Sequence, residues 1–287
     1  MPRNDSDPSI DSSPSGGGGI GEADDGGGRA PNLTDSHLQP RPDPAGTANF
    51  RSAVLLGSDH TELEEIAIQA ITQNLAIGIS RGRFPKGYPH VDPNEDAAYA
   101  ATDGTTTILA VADGHHGFNA AQAAIAAIAE VAPPSIEEDP ETVVRTLGEA
   151  AIRAVAATVP GLPGPRKSSR TSLTICVLRN GSLATLTIGD TACFLATRRR
   201  ARQIGTTTDF LGPNTTAEAL LLETTVVQPE AAVVVTTDGF LDFASGVEGT
   251  LRTTSNLSAN EGVEELLSAA FSGGAGDNIA AAVFRPT

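Results

Sequence analysis

The chain has 287 residues, 39% of them hydrophobic but only 4% aromatic and none tryptophan, so a core of ordinary size has to be packed from Ala, Val, Ile and Leu. Its formal net charge of -16, from 35 acidic and 19 basic side chains, argues against a general electrostatic grip on nucleic-acid phosphates. Two cysteines without paired metal spacing indicate neither a disulfide framework nor a zinc site, and no apolar run reaches the roughly 18 residues of a membrane span, so a soluble, monomeric, cytoplasmic protein is expected, with no membrane and no nucleic acid among its partners.

Residues 1–47 are rich in Gly, Pro, Ser and Asp, carry -5 of the charge and hold almost no apolar residue. That composition predicts a disordered leader ahead of one folded domain over 48–287. In residues 61–76, Leu63, Ile66, Ala67, Ala70, Ile71 and Leu75 recur at helical spacing, with Thr61 and Glu64 as a capping box, which predicts a helix. Strands are expected over 75–80, 97–101 and 106–112, then helices over 118–132 and 141–159, stopped by Pro133-Pro134 and by Pro160. After a basic loop at 164–170, apolar runs at 172–179, 183–188 and 192–197 predict an antiparallel meander, with Asn180-Gly181 as a hairpin turn. Residues 205–222 read as a loop, followed by strands over 224–227 and 231–236, a helix over 261–271 and a last strand over 279–285. Strands in runs and helices in pairs predict an α+β class rather than a wound parallel sheet.

Three acidic turns stand out because each sits at the edge of an apolar strand. Asp113-Gly114-His115-His116-Gly117 follows the run over 107–112, Asp238-Gly239 ends the run over 231–235, and Asp277-Asn278 opens the last strand. One Asp at a strand end is ordinarily a turn former, but three drawn from distant segments suit a hard divalent cation held by carboxylates and a backbone carbonyl. Asn94-Glu95-Asp96 adds a carboxylate before the second strand, Gly189-Asp190-Thr191 adds another turn, and Asp242 follows Asp238 by four residues, the spacing of one helical turn.

The order Asn94-Glu95-Asp96, Asp113-Gly114-His115, the Ser/Thr-rich strand at 170–174, Gly189-Asp190-Thr191, Thr237-Asp238-Gly239 and Gly276-Asp277-Asn278 resembles the metal-dependent protein phosphatases of the 2C type, from about Ala76 onward. The resemblance implies a four-layer α-β-β-α sandwich, two central antiparallel sheets flanked by helix pairs, with two Mg²⁺ or Mn²⁺ ions at one end. It maps the metal ligands onto Asp96, Asp113, the Gly114 carbonyl, Asp238 and Asp277, and a weaker third ion onto Asp190, Asp238 and Asp242. It also implies that a water bridging the two ions attacks phosphorus directly in a phosphoserine or phosphothreonine protein substrate, and that His115 protonates the leaving oxygen. The family's phosphate-binding arginine has no counterpart, since Val91 stands at its usual place, and Arg81, Arg83 or Lys86 in the preceding loop are the expected substitutes. That gap, and a short segment between residues 197 and 231, leave two alternatives open: a non-catalytic module that binds a phosphorylated partner, or a phosphatase of small metabolites.

Overall fold

The central strands of this chain are buried at nearly every position rather than at alternate ones, and the layering accounts for it. In the computed structural model, which describes residues 50–131 and 138–286, two six-stranded antiparallel sheets lie face to face between two layers of helices. The expected leader over 1–47 and the Pro133-Pro134 helix stop lie outside the described residues. The first sheet has the order β1 (Arg51–Leu56), β4 (Ala97–Thr102), β5 (Thr106–His115), β6 (Arg170–Arg179), β7 (Ser182–Ile188), β10 (Leu221–Val226). The second runs β2 (Ala67–Thr72), β3 (Leu75–Ser80), β12 (Ile279–Phe284), β11 (Ala232–Thr236), β8 (Ala192–Ala196), β9 (Ala201–Ile204).

Because side chains alternate across a strand, each central strand feeds two cores. On β5, Ile108, Ala110 and Ala112 face helices α1 (Asn119–Glu130) and α2 (Pro140–Thr158), while Leu109 and Val111 face the opposite sheet. On β11, Val233 and Val235 enter the inter-sheet core, and Ala232 and Val234 face the helices α3 (Asp238–Phe243), α4 (Val247–Thr254) and α5 (Ala259–Ser272). The four-layer sandwich implied by the resemblance is the observed architecture. Local signals agree with it: Asp139 caps α2 by accepting from the Thr142 backbone N–H at 3.0 Å, Ser258 and Glu261 form a reciprocal capping box on α5, and Asn180-Gly181, both with positive φ (51° and 76°), join β6 to β7 as the mirror-image turn that hairpins favour.

Three expectations change. The helix over 61–76 is instead a turn followed by β2 and β3. Glu64 lies at φ 65°, which interrupts a right-handed helix, and the β-branched residues Ile66, Ile68, Ile71 and Thr72 favour an edge strand that pairs with β3 around Gln73-Asn74. The meander ends after β7. The turn Gly189-Asp190-Thr191 crosses between the layers, so β8 pairs with β11 and β9 in the second sheet rather than with β7. Residues 221–226, the last two of the expected loop included, form β10 on the edge of the first sheet, while β1, β9, α3 and α4 escape a periodicity reading because they are short or rich in Thr and Gly.

Candidate metal centre

The ends of β3, β5 and β11 and the starts of β4, β8 and β12 meet at one pole of the sandwich, and the acidic turns are gathered there. Asp96 immediately precedes β4 and is fully buried, with no hydrogen-bond donor to either carboxylate oxygen. Asp113 and Gly114 immediately precede the last residue of β5, paired across to Ser172 and Thr171, and the Asp113 carbonyl accepts from the Thr171 hydroxyl at 2.7 Å. Gly114 has to be glycine, because a Cβ there would lie 2.4 Å from the Glu95 carbonyl oxygen, and that approach brings the Asp96 loop against β5. Asp190 comes from the inter-sheet crossing, Asp238 opens α3 with Asp242 one turn later, and Asp277 immediately precedes Asn278 and β12.

The electrostatics register this crowding. Burial first, then the charges of Asp113, Asp277 and Asp238, raises the Asp96 carboxyl well above its ordinary range, against the opposing pull of Lys86. Burial followed by Asp113, Asp277, Asp190 and Asp242 pushes Asp238 up to about 8. Among the described residues the oxygens of Asp96 and Oδ1 of Asp190 are buried without a donor and Asp113 Oδ2 has only the His115 ring beside it, and such groups call for a cation. The oxygen-only set of carboxylates fits Mg²⁺ or Mn²⁺ rather than a soft metal. Asp113, His115 and Asp190 also offer ligand atoms all within 4.8 Å of one another.

His115 ends β5 with its Nε2 3.1 Å from Asp113 Oδ2 and its ring edge-on to Phe210 at 4.5 Å between centroids. Burial alone would lower its pKa, but Asp113 beside it and the charges of Asp190 and Asp238 outweigh that and raise it. Arg170, directly across the ladder from His115, lays its guanidinium 4.5 Å over the same Phe210 ring.

The Arg81 and Arg83 side chains are engaged by the turn over residues 61–64. Arg81 donates to the Thr61 carbonyl at 2.7 Å, and Arg83 approaches Glu64 at 3.6 Å. The cation among the acids is Lys86, whose buried Nζ lies 3.1 Å from Asp277 Oδ1 and 3.6 Å from Glu95 Oε2. Sequence reasoning also missed the clamp formed by Asn278, which is 1% exposed. Its side-chain N–H groups donate to the Arg81 and Pro93 carbonyls, each at 3.0 Å, and its Oδ1 accepts from the Glu95 backbone N–H at 2.9 Å. Glu95 in turn accepts from the Val91, Asp92 and Gly117 backbone N–H groups at 3.1, 3.0 and 2.7 Å. An amide directly after a metal-site acid was the available signal.

Several solved structures share this architecture. The Mycobacterium tuberculosis serine/threonine phosphatase PstP/Ppp superposes with a TM-score of 0.62 at 20% identity, covering 78% of this chain and 99% of that one. The catalytic domain of PstP in complex with two manganese ions gives 0.60 at 22% identity, over 76% and 98%. The S. agalactiae serine/threonine phosphatase gives 0.56 at 13% identity, over 83% and 100%. No curated protein matches by sequence. At these identities the structures speak for the fold; membership rests on a family model, protein phosphatase 2C, that matches residues 89–272 and so takes in every acidic turn except Asp277. With that match over well more than half its length, the chain belongs to the protein phosphatase 2C family.

Proposed function

We propose that the domain removes phosphate from phosphoserine and phosphothreonine in proteins, at a two-ion Mg²⁺ or Mn²⁺ site that Asp113 would help to hold. The observation that carries this reading is the convergence of Asp96, Asp113, Asp190, Asp238 and Asp277 at one pole, with oxygens of Asp96 and Asp190 buried without a donor among the described residues, in a chain of this family. When bound, the two ions supply an activated water near neutral pH and offset phosphoryl charge.

The chain's own residues do the rest. Asp96, Asp113, the Gly114 carbonyl, Asp238 and Asp277 would hold the ion pair, and Asp190, Asp238 and Asp242 would hold a weaker third. The carboxylates around His115 keep its ring protonated to higher pH, so Nε2 has a proton to deliver to the departing seryl or threonyl oxygen. Phe210 holds that ring edge-on and positions Arg170 on the same face of the ladder, where its guanidinium is suited to orient the phosphate oxygens. Arg170 thereby takes the part first expected of Arg81 or Arg83, which brace the neighbouring loop instead. The protein acts as a monomer in the cytoplasm; the adjacent but free thiols Cys176 and Cys193 agree with a reducing compartment.

Phosphate release from a phosphothreonine peptide and from p-nitrophenyl phosphate, with Mn²⁺ and with EDTA, tests the reading. Hydrolysis is expected only with metal, and none with Asp113→Ala. If wild type with Mn²⁺ gives no more product than Asp113→Ala, the site binds phosphate groups without cleaving them and the enzymatic reading is wrong.

A further inference from the structure

The segment 83–93 is fastened at both ends. At one, the Arg83 and Phe84 backbone N–H groups donate to the Ala275 carbonyl at 2.8 and 3.2 Å; at the other, Val91 and Asp92 donate to Glu95. Between them, residues 85–90 form no backbone–backbone hydrogen bond with any described residue, and Pro85, Gly87, Tyr88, Pro89 and His90 are exposed. What ties this span inward is a pair of side chains that share one carboxylate. Lys86 Nζ lies 3.1 Å from Asp277 Oδ1, the Tyr88 hydroxyl donates to Asp277 Oδ2 at 2.6 Å, and the ammonium sits 5.5 Å from the centroid of the Tyr88 ring. Asp277 Oδ1 accepts from the Asn278 backbone N–H at 2.7 Å as well. Both oxygens of Asp277 are thus engaged, whereas neither oxygen of Asp96 has a donor.

We infer that Lys86 is a tethered counter-ion seated on the Asp277 side of the carboxylate cluster, and that a divalent cation binds on that side only by displacing Lys86 and Tyr88 together. The inference rests on the two-ion reading above and adds an order of events to it. A hard dication and an ammonium compete for the same oxygen, and the repulsion between two adjacent cations prevents them from sharing it. Among the described residues no ammonium or guanidinium is ion-paired with Asp96, Asp113 or Asp238, where the imidazole of His115, 3.1 Å from Asp113 Oδ2, is the paired basic group. The first ion therefore enters there without displacement, and the second enters against the seated strap. Displacement releases an ammonium at the mouth of the site, within reach of a phosphate held by the metals. The enzyme then assembles its full site only above the cation concentration that lifts the strap.

Isothermal titration of metal-free full-length protein with Mn²⁺, beside tyrosine emission during a Mg²⁺ titration, tests this without any turnover. The chain has two tyrosines and no tryptophan, and Tyr99 is buried in the core facing the α1–α2 layer, so a change in emission reports on Tyr88. Wild type should bind one ion tightly and a second more weakly, with emission rising at the second step as the phenol leaves the carboxylate. In Lys86→Met the second dissociation constant should fall about tenfold, the gain expected if the strap is seated about nine-tenths of the time, while the first stays within about twofold. Lys86→Arg, which keeps the charge and guards against a folding artefact, should retain the weak second step, and Tyr88→Phe should lose the emission change. An unchanged or weaker second step in a folded Lys86→Met protein that still binds two ions overturns the displacement alone. Absence of any ion in both proteins overturns it together with the two-ion reading.

Discussion

Without metal, the protein should become less stable as pH rises through the neutral range, opposite to the trend of a protein whose carboxylates are salt-bridged. Asp238 is pushed from its ordinary value near 3.8 up to about 8, so between those limits the folded state binds a proton that the unfolded state does not. Its contribution is fully present below pH about 4 and is lost as pH climbs through about 8. His115, raised in the same environment, adds to the loss above its ordinary range, whereas the helix-cap acids Asp139, Glu218 and Glu261 are lowered and act only in more acidic solution. At about 1.4 kcal/mol per pH unit, the interval from pH 5 to 8 removes on the order of 4 kcal/mol, or about 2 M in urea midpoint for a slope near 2 kcal/mol per M. Far-ultraviolet circular dichroism in EDTA reads this directly. Saturating Mn²⁺ should flatten or invert the trend, because ions replace the shared protons, and Asp238→Asn should flatten it without metal. A metal-free midpoint that holds steady or rises from pH 5 to 8 would refute the crowding of carboxylates on which this reasoning depends.

Gly114→Ala forces a methyl group into the Glu95 carbonyl and should cost about 1–3 kcal/mol in thermal unfolding, with weaker Mn²⁺ binding by calorimetry. Asn278→Ala removes three hydrogen bonds, one buried and two partly buried, and leaves the Glu95 N–H unpaired; a loss of about 2–4 kcal/mol is expected in urea unfolding. His115→Gln should leave Mn²⁺ affinity within a few-fold but lower kcat by about 10²–10⁴ on a phosphothreonine peptide, and less on p-nitrophenyl phosphate, whose leaving group needs no proton.

How much of this could be read from the chain follows from which features are local. Asp113, Asp238 and Asp277 were legible because each interrupts an apolar strand at its end, and strand ends of a layered sandwich share a pole. The sheet assignment of β8 was not, since the turn at Gly189-Asp190 looks the same whether the chain returns to its neighbour or crosses between layers. The helical spacing of Leu63 to Leu75 misled because an edge strand with a bulge between Ala70 and Thr72 exposes its residues irregularly and dilutes the period of two. Lys86 was legible as a basic neighbour of the site but its pairing with Asp277 was not, since that depends on how the loop folds back, and Arg170 was out of reach because only a ladder register sets it opposite His115.

The Asn278 amide has a mechanical consequence. By stapling the chain at residues 81, 93 and 95, it welds the shoulder that carries Asp96 to the one that carries Asp277, although the two acids are 181 positions apart along the polypeptide. Neither shoulder can breathe by itself. Exchange of the Glu95 and Ile279 amides with deuterium should accordingly proceed at matched rates, as one cooperative opening of the pole.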